Sequence, residues 1–256
     1  MARINSLSDK VAIATSTLYN PDWESYGLRA ELAKKTIINA KNIGYEISIV
    51  DGGSSDELLK EFEKYGAKVI VELQRSDTMG AQRRNAIEYA CNLGRDVIVW
   101  MEPEKETYVS EIEKTVTPII EGSAEMVIPR RKSLESYPVF QQHFEQMGNI
   151  FWKDVTGTDL DVWFGPRTWK KEMSRYFLDY KGEYGDKWDS IFVPVVNAIF
   201  DGRKVISVDV DYIHPKKQTE AEEHNIKFYM KRVEQLDNLT NALYKHWKKL
   251  NLQKEQ

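Results

Sequence analysis

The first hundred residues alternate short apolar runs with segments of helical periodicity, and this alternation restricts the chain to very few architectures. Val11-Ala-Ile-Ala-Thr15, Glu46-Ile-Ser-Ile-Val50, Lys68-Val-Ile-Val-Glu72 and Val97-Ile-Val-Trp-Met101 read as strands covered on both faces. Between them, Leu28 to Ile43, Asp56 to Tyr65 and Gly80 to Leu93 carry apolar residues at helical spacing. Each is followed by a glycine suited to a helix end: Gly44, Gly66 and Gly94. Ser54 with Glu57 predicts a capping box opening the second helix. Strand and helix in strict alternation imply right-handed crossovers and a mostly parallel sheet flanked by helices, an α/β fold.

The second half is less regular. Helices are predicted from Tyr108 to Ile120, from Phe140 to Trp152 and from Asp189 to Phe200. Gly165-Pro166 predicts the start of another helix, running through Phe177. Glu125 to Ile128 and Lys204 to Tyr212 read as extended. No proline- or serine-rich linker divides residues 1–215, so they are expected to form one domain, with halves at about 1–104 and 105–215 and a helical extension over 216–256. In that extension Leu236, Leu239, Leu243, Trp247 and Leu250 share one helix face. The stripe suits packing on the domain. A homodimer contact, or a membrane surface met beside Lys245, Lys248 and Lys249, are its other uses.

Charge and cysteine content narrow the partners. With 36 basic and 40 acidic residues the formal net charge is -4, so nucleic acid is not an expected partner. Cys91 is the single cysteine and falls in a predicted helix among Ala86, Ile87 and Ala90, the setting of a core residue. Lack of an intrachain disulfide points to a reducing, cytoplasmic setting. Met1 to Lys10 carries no apolar leader core, and no run of about 18 apolar residues occurs.

In a parallel sheet the ends of these four strands lie along one edge, where open α/β sheets bind ligands. The first strand leads to hydroxyl-bearing Thr15, Thr17 and Tyr19, and the second to Asp51-Gly52-Gly53, where backbone can approach a ligand. The third loop enters Gly80, Arg83 and Arg84, a helix start with cations suited to phosphate. The fourth strand ends in Glu102-Pro-Glu104, two hard oxygen donors suited to a divalent cation that holds phosphates. A ligand with a base, a ribose and a diphosphate would meet all four.

The order and spacing of Ser16-Thr-Leu-Tyr-Asn20, Val50-Asp-Gly-Gly-Ser-Ser-Asp56, Arg83-Arg-Asn85 and Glu102-Pro-Glu104 resemble the family 2 glycosyltransferases of GT-A fold. Thr158-Asp-Leu-Asp-Val-Trp-Phe-Gly-Pro-Arg167 is similar to the Asp-x-x-x-Gly-x-Arg stretch of polyprenyl-phosphate sugar transferases in that family. Trp188-Asp189 resembles its Glu-Asp motif, and Tyr212-Ile-His-Pro215 falls where a third metal ligand is often found. Three positions depart from the pattern: Glu-Pro-Glu replaces Asp-x-Asp, Asp51-Gly52-Gly53 replaces Asp-Asp-Gly, and Trp188 stands at the Glu position.

The resemblance implies a nucleotide-diphosphate sugar donor, with residues 1–104 as its half of the domain and 105–215 as the acceptor half. Glu102, Glu104 and His214 are then the expected ligands of Mn2+ or Mg2+. Arg83 or Arg84 adds positive charge at the leaving phosphate. Asp189 is the first choice of base, ahead of Asp186 and Asp161, in an inverting transfer to a glycan, lipid-phosphate or small-molecule acceptor. Arg130-Arg131-Lys132 reads as a solvated loop, with contact to an anionic acceptor as the alternative. Trp163, Phe164, Trp169 and Trp188 divide between a sugar site and core packing. A sugar nucleotidyltransferase would need a glycine-rich basic loop, and Ser16 to Glu24 has neither glycine nor lysine. A non-catalytic nucleotide- or carbohydrate-binding relative is the remaining alternative.

Overall fold

The computed structural model describes residues 6–22, 26–73 and 75–254. The strands are β1 (Val11–Thr17), β2 (Glu46–Asp51), β3 (Lys68–Val71), β4 (Val97–Trp100), β5 (Met126–Arg131), β6 (Arg167–Lys170) and β7 (Val205–Val210). The helices are α1 (Tyr26–Ile43), α2 (Asp56–Tyr65), α3 (Met79–Asn92), α4 (Ile112–Ile120), α5 (Val139–Thr156), α6 (Arg175–Leu178), α7 (Val193–Phe200), α8 (Lys216–Glu222) and α9 (Ile226–Lys254). One seven-stranded sheet runs in the order β3-β2-β1-β4-β6-β5-β7. Only β6 is antiparallel to its neighbours. This is a GT-A-like mostly parallel sheet flanked by helices, with a C-terminal helix.

The period of two along β1 divides the protein into two cores. Val11 and Ile13 face a layer containing Ala33, Ile37, Phe62, Ile112 and Val116 of α1, α2 and α4. Ala12 and Ala14 face the opposite layer, with Ala86, Trp152, Val195, Leu239 and Leu243 of α3, α5, α7 and α9. Cys91 lies buried in this second core, its Sγ 3.1 Å from Ser174 Oγ. In the predicted apolar stripe of the C-terminal extension, Leu239 and Leu243 are buried in this core and Leu236, Trp247 and Leu250 pack against it, partly buried. No helix of the described residues is long and apolar enough to cross a membrane.

The helix predicted from Gly165-Pro166 through Phe177 is instead β6, followed by a 3-10 turn over Lys171–Ser174 and the short α6. Thr168 and Trp169 are fully buried between β4 and β5, a setting that favours β-branched and aromatic residues over a helix start. The segment predicted as a helix from Asp189 divides into a 3-10 turn, Trp188–Ile191, and α7 with Pro194 in its first turn. The one predicted from Tyr108 divides in the same way, into a turn over Glu106–Glu111 and α4.

Candidate active site

The carboxyl ends of β1 and β4 open into a cleft of about 550 Å³, closed on its far side by β5, the segment after β7, and α8 and α9. The loop after β1 is tied to the loop after β2 through Asp51. This fully buried carboxylate accepts bonds from Thr17 Oγ1 at 2.6 Å, from the Gly53 and Ser54 amides at 2.8 and 2.7 Å, and from Ser54 Oγ. Ser54 Oγ in turn accepts from the Tyr19 amide at 2.9 Å. Ser54 is therefore taken up by the loop, and Ser55 caps α2 in its place. The Gly52 amide donates to Thr17 O at 2.9 Å. Thus Asp51 and Gly52 shape the loop while Thr17 and Tyr19 face the cleft. Thr15 is buried in β1 and does not line it.

Glu102 and Glu104 both line the cleft but differ in their partners. Glu104 is buried, and its Oε1 accepts from Tyr19 Oη at 2.8 Å and from Arg29 Nε at 2.9 Å. Glu102 Oε2 is buried with no hydrogen-bond partner. Burial alone would raise the Glu102 carboxyl, but Lys105, Arg83 and Arg167 hold it below the usual carboxylate range. The chain makes room for it at Gly165, where a Cβ would lie 1.6 Å from Glu102 Oε1.

The surrounding cations are largely held by neutral groups. Arg83 donates to Lys187 O at 2.7 Å and Ser190 Oγ at 3.0 Å, and lies over the Trp100 ring. Arg167 donates to the carbonyls of Phe164, Pro166 and Val162. Burial pushes both guanidinium groups down to about 10. Lys105 sits between the rings of Phe164 and Tyr212, 3.9 Å from Glu102 Oε2. Eight arginines and lysines line the cleft against four glutamates, a local positive excess on a chain that is acidic overall.

The aspartates singled out as bases are each engaged inside the protein, and none lines the cleft. Asp189 is fully buried and accepts from Tyr180 Oη at 2.6 Å and from the Lys187 and Asp186 amides at 2.7 and 3.2 Å. Asp186 pairs with Arg84 through both oxygens, at 2.6 and 2.8 Å, so Arg84 is directed to that carboxylate. Asp186 O accepts from the Gly80 amide at 2.7 Å, and a Cβ at residue 80 would lie 2.0 Å from Asp186 Oδ1. Gly80 therefore docks the 186 loop onto the start of α3. Asp161 accepts from Arg131 Nε and Nη2, both at 2.8 Å, and from Asn149 at 2.9 Å.

Arg131 departs from the solvated-loop expectation. It ends β5, is buried, and reaches the cleft between the rings of Tyr137 and Phe164, with Nη1 2.5 Å from Glu145 Oε2. Arg130 and Lys132 stay nearer the surface. His214 stacks on Tyr137 with centroids 4.3 Å apart, and its Nε2 lies 3.4 Å from Glu222 Oε2. Burial holds the imidazole below its ordinary range against the pull of Glu222. His214 lines the cleft, but among the described residues no three His, Cys, Asp or Glu side chains converge as a metal site. Of the aromatics, Trp163 and Trp188 face the cleft, while Phe164 and Trp169 are core residues.

Arg29, Lys231 and Arg232 also line the cleft and carried no sequence signal, since each sits in a charged helix far from any motif. Arg167 lay within the Asp161–Arg167 stretch, where only its spacing to Gly165 marked it.

The fold matches known structures. Glucosyl-3-phosphoglycerate synthase from Mycobacterium tuberculosis, in complex with Mn2+, uridine diphosphate and phosphoglyceric acid, superposes with a TM-score of 0.58 at 11% identity, over 93% of this chain and 82% of that one. Its complex with Mn2+, UDP-glucose and phosphoglyceric acid gives 0.59 at 11% identity, over 93% and 84%. The complex with Mg2+ and uridine diphosphate gives 0.54 at 11% identity, over 90% and 79%. At this identity the likeness is one of fold. No curated protein sequence matches the chain. The model for glycosyl transferase family 2 matches residues 29–185, which takes in the β2 loop, the start of α3, the Glu102–Glu104 pair and the Asp161–Arg167 stretch. With more than half its length matched, and the strand ends of that stretch gathered on one cleft, the chain belongs to glycosyl transferase family 2.

Proposed function

We propose that the protein transfers a sugar from a nucleoside-diphosphate sugar to a hydroxyl- or phosphate-bearing acceptor, with inversion at the anomeric carbon and with the help of Mn2+ or Mg2+. The observation that carries this reading is Glu102. Its buried, unpartnered carboxylate oxygen sits at the carboxyl edge of β4 among Arg83, Arg167 and Lys105.

The donor set fits a cation shared with phosphate oxygens. Glu102 Oε2 has no partner and the bonds to Glu104 all fall on Oε1, which leaves one carboxylate oxygen on each. Such cations are commonly held by one or two carboxylates plus substrate phosphates. Bound there, the ion would neutralise charge developing on the leaving diphosphate. His214 faces Glu222 and is a weaker candidate ligand.

The rest of the reaction falls to the chain's own groups. Cleavage of the sugar C1–oxygen bond leaves its electron pair on the diphosphate, toward which Arg83 and Arg167 present guanidinium groups fixed in advance. The loop braced by Asp51 presents Thr17 and Tyr19 to the nucleotide. A hydroxyl acceptor would need a base, and Asp189, Asp186 and Asp161 would each have to leave present partners to serve. A phosphate acceptor is already ionised and needs none. The neighbours' complexes with uridine diphosphate and Mn2+ support uridine diphosphate as the first probe.

Thermal-shift titration with UDP, GDP, CDP and TDP, each with manganese and with a chelator, tests the proposal. One nucleotide is expected to raise the melting temperature only when metal is present, and the matching nucleotide-sugar to yield a product of opposite anomeric configuration by NMR. A shift indifferent to chelator would reject the metal role of Glu102 and Glu104. No shift with any nucleotide would reject the transferase reading in favour of a carbohydrate-binding module.

A further inference from the structure

The cleft has more positive charge, and more unsatisfied polar atoms, than a sugar diphosphate accounts for. Among the described residues, ten buried side-chain polar atoms lack a hydrogen-bond partner, and eight of them belong to residues lining the cleft. Buried polar groups are ordinarily paired, so such a concentration marks groups that a ligand satisfies. Glu102 Oε2, Arg167 Nε and the Trp100 and Trp163 indoles form one set, near the proposed diphosphate. Tyr137 Oη, His214 Nδ1, Arg232 Nε and Gln141 Oε1 form a second set on the far wall.

The far wall is continuous. His214 stacks on Tyr137, Arg131 lies over the same Tyr137 ring, and Glu145 joins Arg131 at 2.5 Å to Arg232 at 3.9 Å. Lys231 and Arg232 are consecutive on α9, both face the cleft, and Lys231 makes no ion pair among the described residues. Two adjacent cations facing one cavity repel each other unless an anion lies between or beside them. Desolvation on its cleft side, with Arg232 and Arg29 nearby, pushes the Lys231 ammonium down against the pull of Glu222 and Glu104, while the residue keeps an exposed side. Lys231, Arg232 and His214 lie outside the stretch matched by the family model, while Arg131, Tyr137, Gln141 and Glu145 lie within it.

We infer that this wall is an anion subsite and that the acceptor carries a phosphate monoester bound by Lys231 and Arg232, with Tyr137 Oη beside them. A phosphate offers several strong acceptor oxygens to those donors, whereas a neutral sugar hydroxyl leaves Lys231 without a counter-charge. The assignment of this ligand as acceptor rests on the transferase reading above. The anion subsite itself does not.

Calorimetric titration of glycerol 3-phosphate, and co-sedimentation with phosphatidic acid vesicles, test it on protein saturated with UDP and manganese. Wild type is compared with Lys231→Gln/Arg232→Gln and with the charge-keeping Lys231→Arg/Arg232→Lys. The expected result is phosphate-ester binding that weakens at least tenfold in the glutamine pair, survives in the charge-keeping pair, and leaves UDP affinity unchanged. Binding of the soluble ester alone identifies a small-molecule acceptor; vesicle binding lost in the glutamine pair identifies a lipid headgroup. Equal binding by all variants, competition with UDP for one site, or no binding of either probe would overturn the inference. If UDP fails to bind while phosphate binding still depends on Lys231 and Arg232, the transferase reading falls and the anion subsite stands.

Discussion

At the scale of single residues, the proposed chemistry depends on a carboxylate held below its usual range where burial works against it. A buried carboxylate oxygen without a hydrogen bond is costly, and Lys105, Arg83 and Arg167 offset that cost at half-buried Glu102 without closing a hydrogen bond on Oε2. Gly165 is what lets the side chain lie there. Gly165→Ala would place a methyl group 1.6 Å from Oε1 and drive the carboxylate out of position. Transfer is expected to fall on the order of 100-fold, as for a misplaced reacting group, with the far-ultraviolet circular dichroism unchanged. Near-normal turnover would mean that Glu102 has no part in the reaction. The aspartates that the motifs marked show the opposite arrangement. Asp189, Asp186 and Asp161 are saturated by donors, so they fix loops and an arginine rather than meeting the cleft.

At the scale of elements, α9 connects stability to the site. Leu239 and Leu243 lie in the core shared with α3, α5 and α7, while Lys231 and Arg232 on the same helix face the cleft. Leu243 is 1% exposed, so Leu243→Ala leaves a cavity and is expected to cost about 2–5 kcal/mol in chemical denaturation. A cost under about 1 kcal/mol would show that α9 is not firmly docked. The heptad-like stripe was readable from the sequence because its period is local. Its destination was not, since a solvent-averse face looks alike whether it meets its own domain, a second copy or a membrane.

At the scale of the molecule, the cleft joins the loops after β1 and β4 to a wall drawn from β5, α5 and the distant α9, and its charge is set by groups from all of them. Lys231 faces Arg232 on α9, Arg29 on α1, Glu222 on α8 and Glu104 after β4. With its ammonium at about 8, the side chain is charged below that pH and loses its charge above it. Sulfate remains a dianion throughout, so its affinity for the far wall is expected to fall as pH rises from about 7 to about 9. The bound anion should move the midpoint upward, because it favours the charged lysine. A flat sulfate profile over that range in calorimetry would separate Lys231 from anion binding.

The alternating first hundred residues determined the four parallel strands, the helices between them and the edge on which Glu102 and Glu104 emerge. Periodicity and terminal glycines act over a few residues, and they acted here without competition. Only the tertiary structure decided that Arg167–Lys170 enters the sheet as an antiparallel strand, because burial of Thr168 and Trp169 between β4 and β5 outweighs the local helix-start signal of Gly165-Pro166. It alone also selected which charged side chains face the cleft. Arg29, Arg131, Lys231 and Arg232 resemble surface residues in sequence, and packing between elements distant along the chain turns them into one cavity.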